Sequence, residues 1–166
     1  MELINLIIPT MRAQGYGRII QNSSVLGFAA LSMRGAYNAS KFAIEGFSDT
    51  MRLELAGTGI HVSLIEPGPI ESQFRANAYQ AFQKHIDVDR SVHRHRYHKM
   101  LERFEAVGNV QPFTLPPSAV LSRVVHALES KRPKIRYPVT FPTYLFGWLK
   151  RIMSHRMLDR ILCRVG

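Results

Sequence analysis

Cysteine is nearly absent. Cys163 is the only one in 166 residues, which excludes an internal disulfide framework and a cysteine-rich zinc fold. The lone thiol has no neighbouring base in sequence and reads as structural or incidental. It fits a reducing compartment. Long apolar runs are absent too. The longest, Val139 to Leu149, is broken by Pro142 and falls far short of the roughly 20 residues that span a bilayer. Glu2 stands where a secretion signal carries positive charge, and the apolar run after it is too short for a signal. A soluble, cytoplasmic protein is the expectation. Acidic residues are scarce: 12 Asp and Glu face 22 Lys and Arg, a formal charge of +10. That balance favours anionic partners such as phosphate-bearing molecules, nucleic acid or acidic lipid. Neither Cys/His finger spacing nor a stacked-aromatic RNA motif occurs, so nucleic acid is not expected among them. There are no internal repeats and no low-complexity tracts.

What is present is an ordinary globular balance, 46% apolar and 20% charged. One domain with a proper core fits this length. Residues 2–12 read as a helix, with Leu3, Leu6, Ile7 and Met11 at helical spacing before Gly15 and Gly17. The chain thus starts inside a helix without a cap. Gly17-Arg-Ile-Ile-Gln predicts a short strand running into Asn22-Ser23-Ser24, and 27–35 a loop. Residues 36–56 predict a long helix closed by Gly57 and Gly59. Ile60-His-Val-Ser-Leu-Ile predicts a buried strand ending at Glu66-Pro67-Gly68-Pro69. Strand, helix, strand with tight junctions implies parallel strands in an α/β sheet. Residues 71–111 are polar, basic and His-rich, with irregular helical patterning. Pro116-Pro117 opens a helix to about Ser130, with Val120, Val124, Val125 and Leu128 as its stripe. Lys134 to Val139 fits one more strand, and 141–166 is an amphipathic basic tail.

The most informative stretch is Ser24 to Lys41. Tyr37 and Lys41 are four apart at the start of the long helix, so both project from one face. A free phenol has a pKa near 10, too high for easy proton exchange at neutral pH. A nearby cation favours the phenolate and pulls that value towards the working range. Ser24 ends the preceding strand, where an open α/β sheet places ligands, and its hydroxyl can bond a carbonyl oxygen that gains charge. The Tyr-x-x-x-Lys spacing alone arises by chance about 0.2 times in a chain of this composition. Context sharpens it: Ser24 lies 13 residues before Tyr37, and a second strand end carries Pro67-Gly68 downstream.

GRIIQNSS, AYNASKFAIEGFSDTMRLEL and GIHVSLIEPGPIES together resemble the short-chain dehydrogenases/reductases. The similarity is greatest to the branch with 17β-hydroxysteroid-dehydrogenase-like and bacterial aldehyde-reductase-like members. It is dense over residues 1–75 and looser over 116–140, where PKIRYPV also matches. The resemblance implies the C-terminal part of a doubly wound parallel-sheet (Rossmann-type) fold. It implies an NAD(P) cofactor, with NADP ahead of NAD, and interconversion of a hydrophobic aldehyde or ketone and its alcohol. Tyr37 would be the proton donor or acceptor, Lys41 its activator and a ribose ligand, and Ser24 the group polarising the carbonyl. Pro67 and Gly68 would line the nicotinamide, Ile70 would meet its carboxamide through the backbone, and Ser72 stands where the family has a cofactor-reaching Thr. Residues 1–140 would form the catalytic part, with 71–115 as a lid-like helical insertion. A homodimer through the first two helices is implied as well.

The departures are specific. No Gly-x-x-x-Gly-x-Gly occurs, nor the family's Asn-Asn-Ala-Gly stretch, and its catalytic Asn would fall just before Met1. The chain therefore reads as the C-terminal part of a longer protein. The alternative is a truncated, non-catalytic remnant serving as a dimerisation or regulatory module. Other features read more blandly. His85, His93, His95 and His98 lack a carboxylate at ligand spacing and are interspersed with arginines, so no metal site is expected. Glu45, Asp49 and Arg52 read as surface pairing on the long helix. The tail stripe Leu145, Trp148, Leu149 and Ile152 fits packing on the sheet or a sister subunit better than a membrane surface. One expectation is directly testable. The DNA upstream of Met1 should encode, in frame, a Gly-rich turn and an Asn a few residues before Met1; a closed frame would leave only the non-catalytic alternative.

Overall fold

The computed structural model describes residues 2–105 and 112–165. In chain order the elements are α1 (Glu2–Gln14), β1 (Gly17–Asn22), a 3-10 turn (Val25–Gly27), α2 (Gly35–Glu54), β2 (Ile60–Glu66), α3 (Phe74–His85), α4 (Arg94–Glu105), α5 (Ser118–Glu129), β3 (Arg136–Pro138), α6 (Phe141–Ile152) and α7 (His155–Val165). The three strands form one parallel sheet in the order β1-β2-β3. Parallel neighbours need a crossover, and α2 supplies it between β1 and β2. Its chain leaves through Gly57 and Gly59, both at positive φ (78° and 77°), a conformation that a Cβ would strain.

Helices cover both faces of the sheet, as in a doubly wound α/β fold. On one face Ile19, Ile60 and Val62 pack with Met51 and Leu55 of the α2 end, joined by Ile4, Ile8, Met11 and Phe47. On the other, Ile65, Tyr137 and Val139 pack with Ala127, Val120 and Val124 of α5. Each such buried side chain contributes about 1.5–3 kcal/mol of transfer free energy. Two helix faces differ from the sequence expectation. In α1 the inward line is Ile4, Ile8 and Met11, while Leu3 and Leu6 are 76% and 71% exposed. In α5 the inward line is Val120, Val124 and Ala127, while Val125 and Leu128 face outwards. Both helices are apolar on more than one side, so periodicity offers two stripes and only the position of the sheet selects one.

The expected polar segment contains α3 and α4, and α3 buries none of its residues. Its last part, 106–111, lies outside the described residues. The flanks of this segment meet: Ile70 and Leu115 form an isolated parallel bridge. The tail is two helices, broken around Met153 and Ser154. Leu158 and Leu162 of α7 pack on Ala29, with Phe28, Leu31, Phe146 and Leu149 around them. The tail thus docks on the loop after β1, and not on the sheet itself. Among the described residues no helix is long and apolar enough to cross a membrane.

Tyr137 ties β3 to this frame. It is buried, its hydroxyl accepts from Lys134 N–H at 2.8 Å, and it lies 2.9 Å from His126 Nδ1. Tyr137→Phe keeps the ring but strands both partners, and should lower unfolding free energy by about 1–3 kcal/mol in a urea titration.

Candidate active site

The C-terminal ends of β1 and β2 meet the first turns of α2. Ser24 follows β1 in extended geometry (φ −168°, ψ 162°), and its Oγ accepts Leu26 N–H at 3.1 Å. That cap starts the 3-10 turn and leaves Ser24 buried. Ser23 N–H donates to Ile65 O and Val25 N–H to Pro67 O, both at 2.8 Å, so the turn is sewn to the exit of β2. Tyr37 sits in the first turn of α2, half-buried, with its ring 5.4 Å from that of Phe74. Lys41 is one turn further on. Its Nζ lies 5.7 Å from the Tyr37 ring centroid and donates to Asn22 O at 2.8 Å. Helical spacing therefore puts both side chains on one face, and Lys41 reaches the end of β1. Burial holds the Lys41 ammonium below the ordinary lysine range. Asn38 Nδ2 donates to Leu31 O at 2.8 Å and fixes the intervening loop.

Pro67 and Gly68 lie beside this group. A Cβ on Gly68 would collide with Thr140 Oγ1, so only glycine lets the chain pass there. Ile70 turns its side chain towards the α5 core. Its bridge uses Glu71 N–H and Pro69 O, so the N–H and C=O of Ile70 itself point away from Leu115. Ser72 is exposed. Its Oγ is 3.4 Å from both Ile70 O and Phe74 N, at the start of α3. Ser24, Tyr37, Lys41, Pro67 and Gly68 are thus drawn to one end of the sheet, while Ile70 and Ser72 lie on the segment leading away. Among the described residues no group of three His, Cys, Asp or Glu could hold a metal ion.

Sequence reading missed a cluster directly beneath. Glu45 is 8% exposed and Glu66 3%, and both face Arg136. Arg136 NH2 lies 2.7 Å from Asp49 Oδ2 and 3.2 Å from Glu45 Oε2, and its Nε is 3.1 Å from Glu66 Oε1. The last contact is an ion pair without hydrogen-bond alignment, because Glu66 Oε1 has no hydrogen-bond partner. The expectation of surface pairing by Glu45, Asp49 and Arg52 is corrected for Glu45. Only the Asp49–Arg52 pair, at 3.1 Å, behaves as expected. Glu45 continues the line of Tyr37 and Lys41 at four-residue steps, which carries it under the sheet end. Two sequence signals were available: a carboxylate closing the apolar strand β2, and an arginine opening β3.

The electrostatics follow from burial. Glu66 is pushed up to about 7, first by desolvation and then by Glu45, with Arg136 opposing. For Asp49, burial pulls upwards, but hydrogen bonds from Arg136 and Arg52 outweigh it and hold the carboxyl below its usual range. Arg136 itself is raised, its carboxylates outweighing desolvation. Because Glu66 has a folded pKa above its unfolded value of 4.5, the folded state binds the extra proton between the two. Stability therefore falls as pH rises from about 4.5 to 7. Glu66→Gln should flatten that slope in urea titrations at pH 5, 6, 7 and 8; an unchanged slope would assign it to another group.

Residues 1–83 match the short chain dehydrogenase family model. The chain is 42% identical over 161 residues to "Uncharacterized oxidoreductase YbbO" of Escherichia coli strain K12, covering 97% of this chain and 54% of that protein. It is 32% identical over 161 residues to "NADPH-dependent 3-dehydrocapnine reductase" of Ornithobacterium rhinotracheale, covering 96% and 54%. In fold it is similar to a short chain dehydrogenase from Burkholderia cenocepacia J2315 solved in complex with NADP, with a TM-score of 0.61 at 20% identity, covering 93% of this chain and 50% of that one. The chain spans about half the length of these relatives. With its parallel sheet, its helices on both faces and this match over half its residues, the chain belongs to the short chain dehydrogenase family.

Proposed function

We propose that this chain forms the proton-transfer part of an NAD(P)-dependent oxidoreductase that interconverts a carbonyl and an alcohol. The observation that carries the reading is the position of Lys41 Nζ, 5.7 Å from the Tyr37 ring and bound to Asn22 O. It brings a phenol and a cation to the strand end that also presents Ser24, where open α/β sheets take their ligands. In reduction the Tyr37 hydroxyl donates its proton to the substrate carbonyl oxygen; in oxidation the phenolate oxygen takes it back. Ser24 donates a hydrogen bond to the same oxygen as it gains charge. The Lys41 ammonium offsets the charge left on the phenol oxygen when the proton departs.

The residues present fit the nicotinamide end of a dinucleotide. Lys41, Pro67 and Gly68 lie at the sheet end, and Ile70, with an outward N–H and C=O, and Ser72 follow on the segment leading away from it. The bound nicotinamide supplies or accepts the hydride. No Gly-x-x-x-Gly-x-Gly for the pyrophosphate occurs in these residues. NADP is ahead of NAD in this reading, in keeping with the NADPH-dependent relative and the NADP-bound neighbour. A hydrophobic substrate suits Phe28 and Met33 near the loop, and residues 71–115 act as a lid whose Phe74 already rests on Tyr37. A homodimer through the outward faces of α1 and α2 and a cytoplasmic location belong to the same reading.

Turnover of a panel of aldehydes and ketones, followed by nicotinamide absorbance in the full-length protein, tests it. Tyr37→Phe should reduce kcat by about 10²–10⁴-fold while leaving cofactor affinity near its original value. Retained turnover would show that the proton comes from another group.

A further inference from the structure

The proton-transfer reading leaves the Arg136 cluster unused, yet it touches α2, the end of β2 and the turn after Ser24. Along α2, residues 37, 41, 45 and 49 descend one face at four-residue steps. The upper two reach the site, and the lower two are carboxylates on Arg136. Glu45 also supports the turn that begins at Ser24. A Cβ built on Gly27 would lie 2.6 Å from Ser23 Oγ and 3.0 Å from Glu45 Cγ, so a side chain there would press on both. Glu66 immediately precedes Pro67 and Gly68, and its C=O accepts Val139 N–H at 3.3 Å. Arg136 comes from β3, opposite Leu64 in the register, on the same sheet face as Glu66.

We propose that Arg136 is a positioning residue: by holding Glu45 and Asp49 of α2 and Glu66 of β2 at once, it sets the helix bearing Tyr37 and Lys41 against the strand that ends in Pro67-Gly68. The functional meaning of this clamp rests on the proton-transfer reading above. The chemistry suits arginine. Its Nη2 bonds both Glu45 and Asp49 while its Nε, fixed at an angle by the planar guanidinium, sits against Glu66, a spread that a single lysine ammonium does not cover. Buried ion pairs of this kind contribute little net stability compared with apolar packing, so a stabilising role alone does not account for the arrangement.

The clamp also has an adjustable member. Glu66 is faced by Arg136 from β3 and by Glu45 and Asp49 from α2, and Arg52 pairs in turn with Asp49. Three carboxylates against two guanidiniums leave one surplus negative charge when all are ionised. Below about 7 Glu66 takes a proton, and its repulsion of Glu45 vanishes. Protonation also removes the charge attraction to Arg136, but the shift is upwards on balance, so the folded arrangement is most stable near pH 4.5 and loses that stability as pH rises to about 7.

Amide hydrogen exchange on the full chain tests the proposal, comparing the unaltered protein with Arg136→Lys, Arg136→Met and Glu66→Gln. Arg136→Lys keeps the charge and loses the fork. It should speed exchange across residues 38–49 of α2 by about tenfold or more while α5, on the opposite sheet face, keeps its protection. Arg136→Met should do the same or more. From pH 4.5 to 8, α2 exchange corrected for its intrinsic rate should rise up to about pH 7 and then level off in the unaltered protein, and should stay level throughout in Glu66→Gln. Turnover should fall about tenfold or more in kcat for Arg136→Lys, with KM for the nicotinamide cofactor within about threefold. Equal loss of protection in α2 and α5 would make Arg136 merely structural, and unchanged α2 exchange would remove the clamp. Faster α2 exchange with unchanged kcat would separate the clamp from the site. If the unaltered protein reduces no carbonyl, the proton-transfer reading fails, and the exchange comparison still decides the clamp.

Discussion

Lys41 holds the candidate site together through one hydrogen bond, from its ammonium to the carbonyl of Asn22. Asn22 ends β1 at an exposed position, and the ammonium takes its carbonyl as acceptor. In return the strand holds a flexible four-carbon side chain beside Tyr37. Without that anchor, Tyr37 would sit on an ordinary helix turn, and Ser24 on an unrelated loop. Sheet twist, crossover helix and the Ser24 turn all matter because they bring that carbonyl within reach of α2.

Beneath this lies a second constraint of opposite character. The anchor above is a single bond at an exposed edge, whereas the Arg136 cluster sets two buried carboxylates, Glu45 and Glu66, beside a partly exposed Arg136 and Asp49. Buried charges of like sign repel, and the low-dielectric surroundings magnify the effect. Glu45 and Glu66 are tolerated because Arg136 lies between them and because one can take up a proton. Directionality is what such an arrangement offers: an apolar core holds elements together, but it resists sliding less specifically than a fork of hydrogen bonds. The two constraints meet on α2, whose upper turns face chemistry and whose middle turns face the cluster.

Much of the architecture was legible residue by residue. Strand β2 declared itself through Ile60, Val62, Leu64 and Ile65, set between Gly59 and Pro67. The helix from Gly35 and its glycine stop followed from spacing and turn chemistry. The stripes of α1 and α5 were misread because both helices carry apolar residues around more than half their circumference. Glu45 was misread for a related reason. A carboxylate in a helix is usually solvated, and nothing local says that an arginine 91 positions later will meet it.

Taken alone, the order of residues determined the element types, the parallel sheet, the pairing of Tyr37 with Lys41 on one helical face, and the placement of Ser24 and Pro67-Gly68 at strand ends. These depend on short-range periodicity and on backbone rules that act within a few residues. Only the tertiary structure decided which side of α1 and α5 faces inwards, that Lys41 bonds to Asn22, and that Glu45, Asp49, Glu66 and Arg136 meet in one cluster. Those outcomes depend on which surfaces meet across distant parts of the chain, where burial sets both the contacts and the charge states.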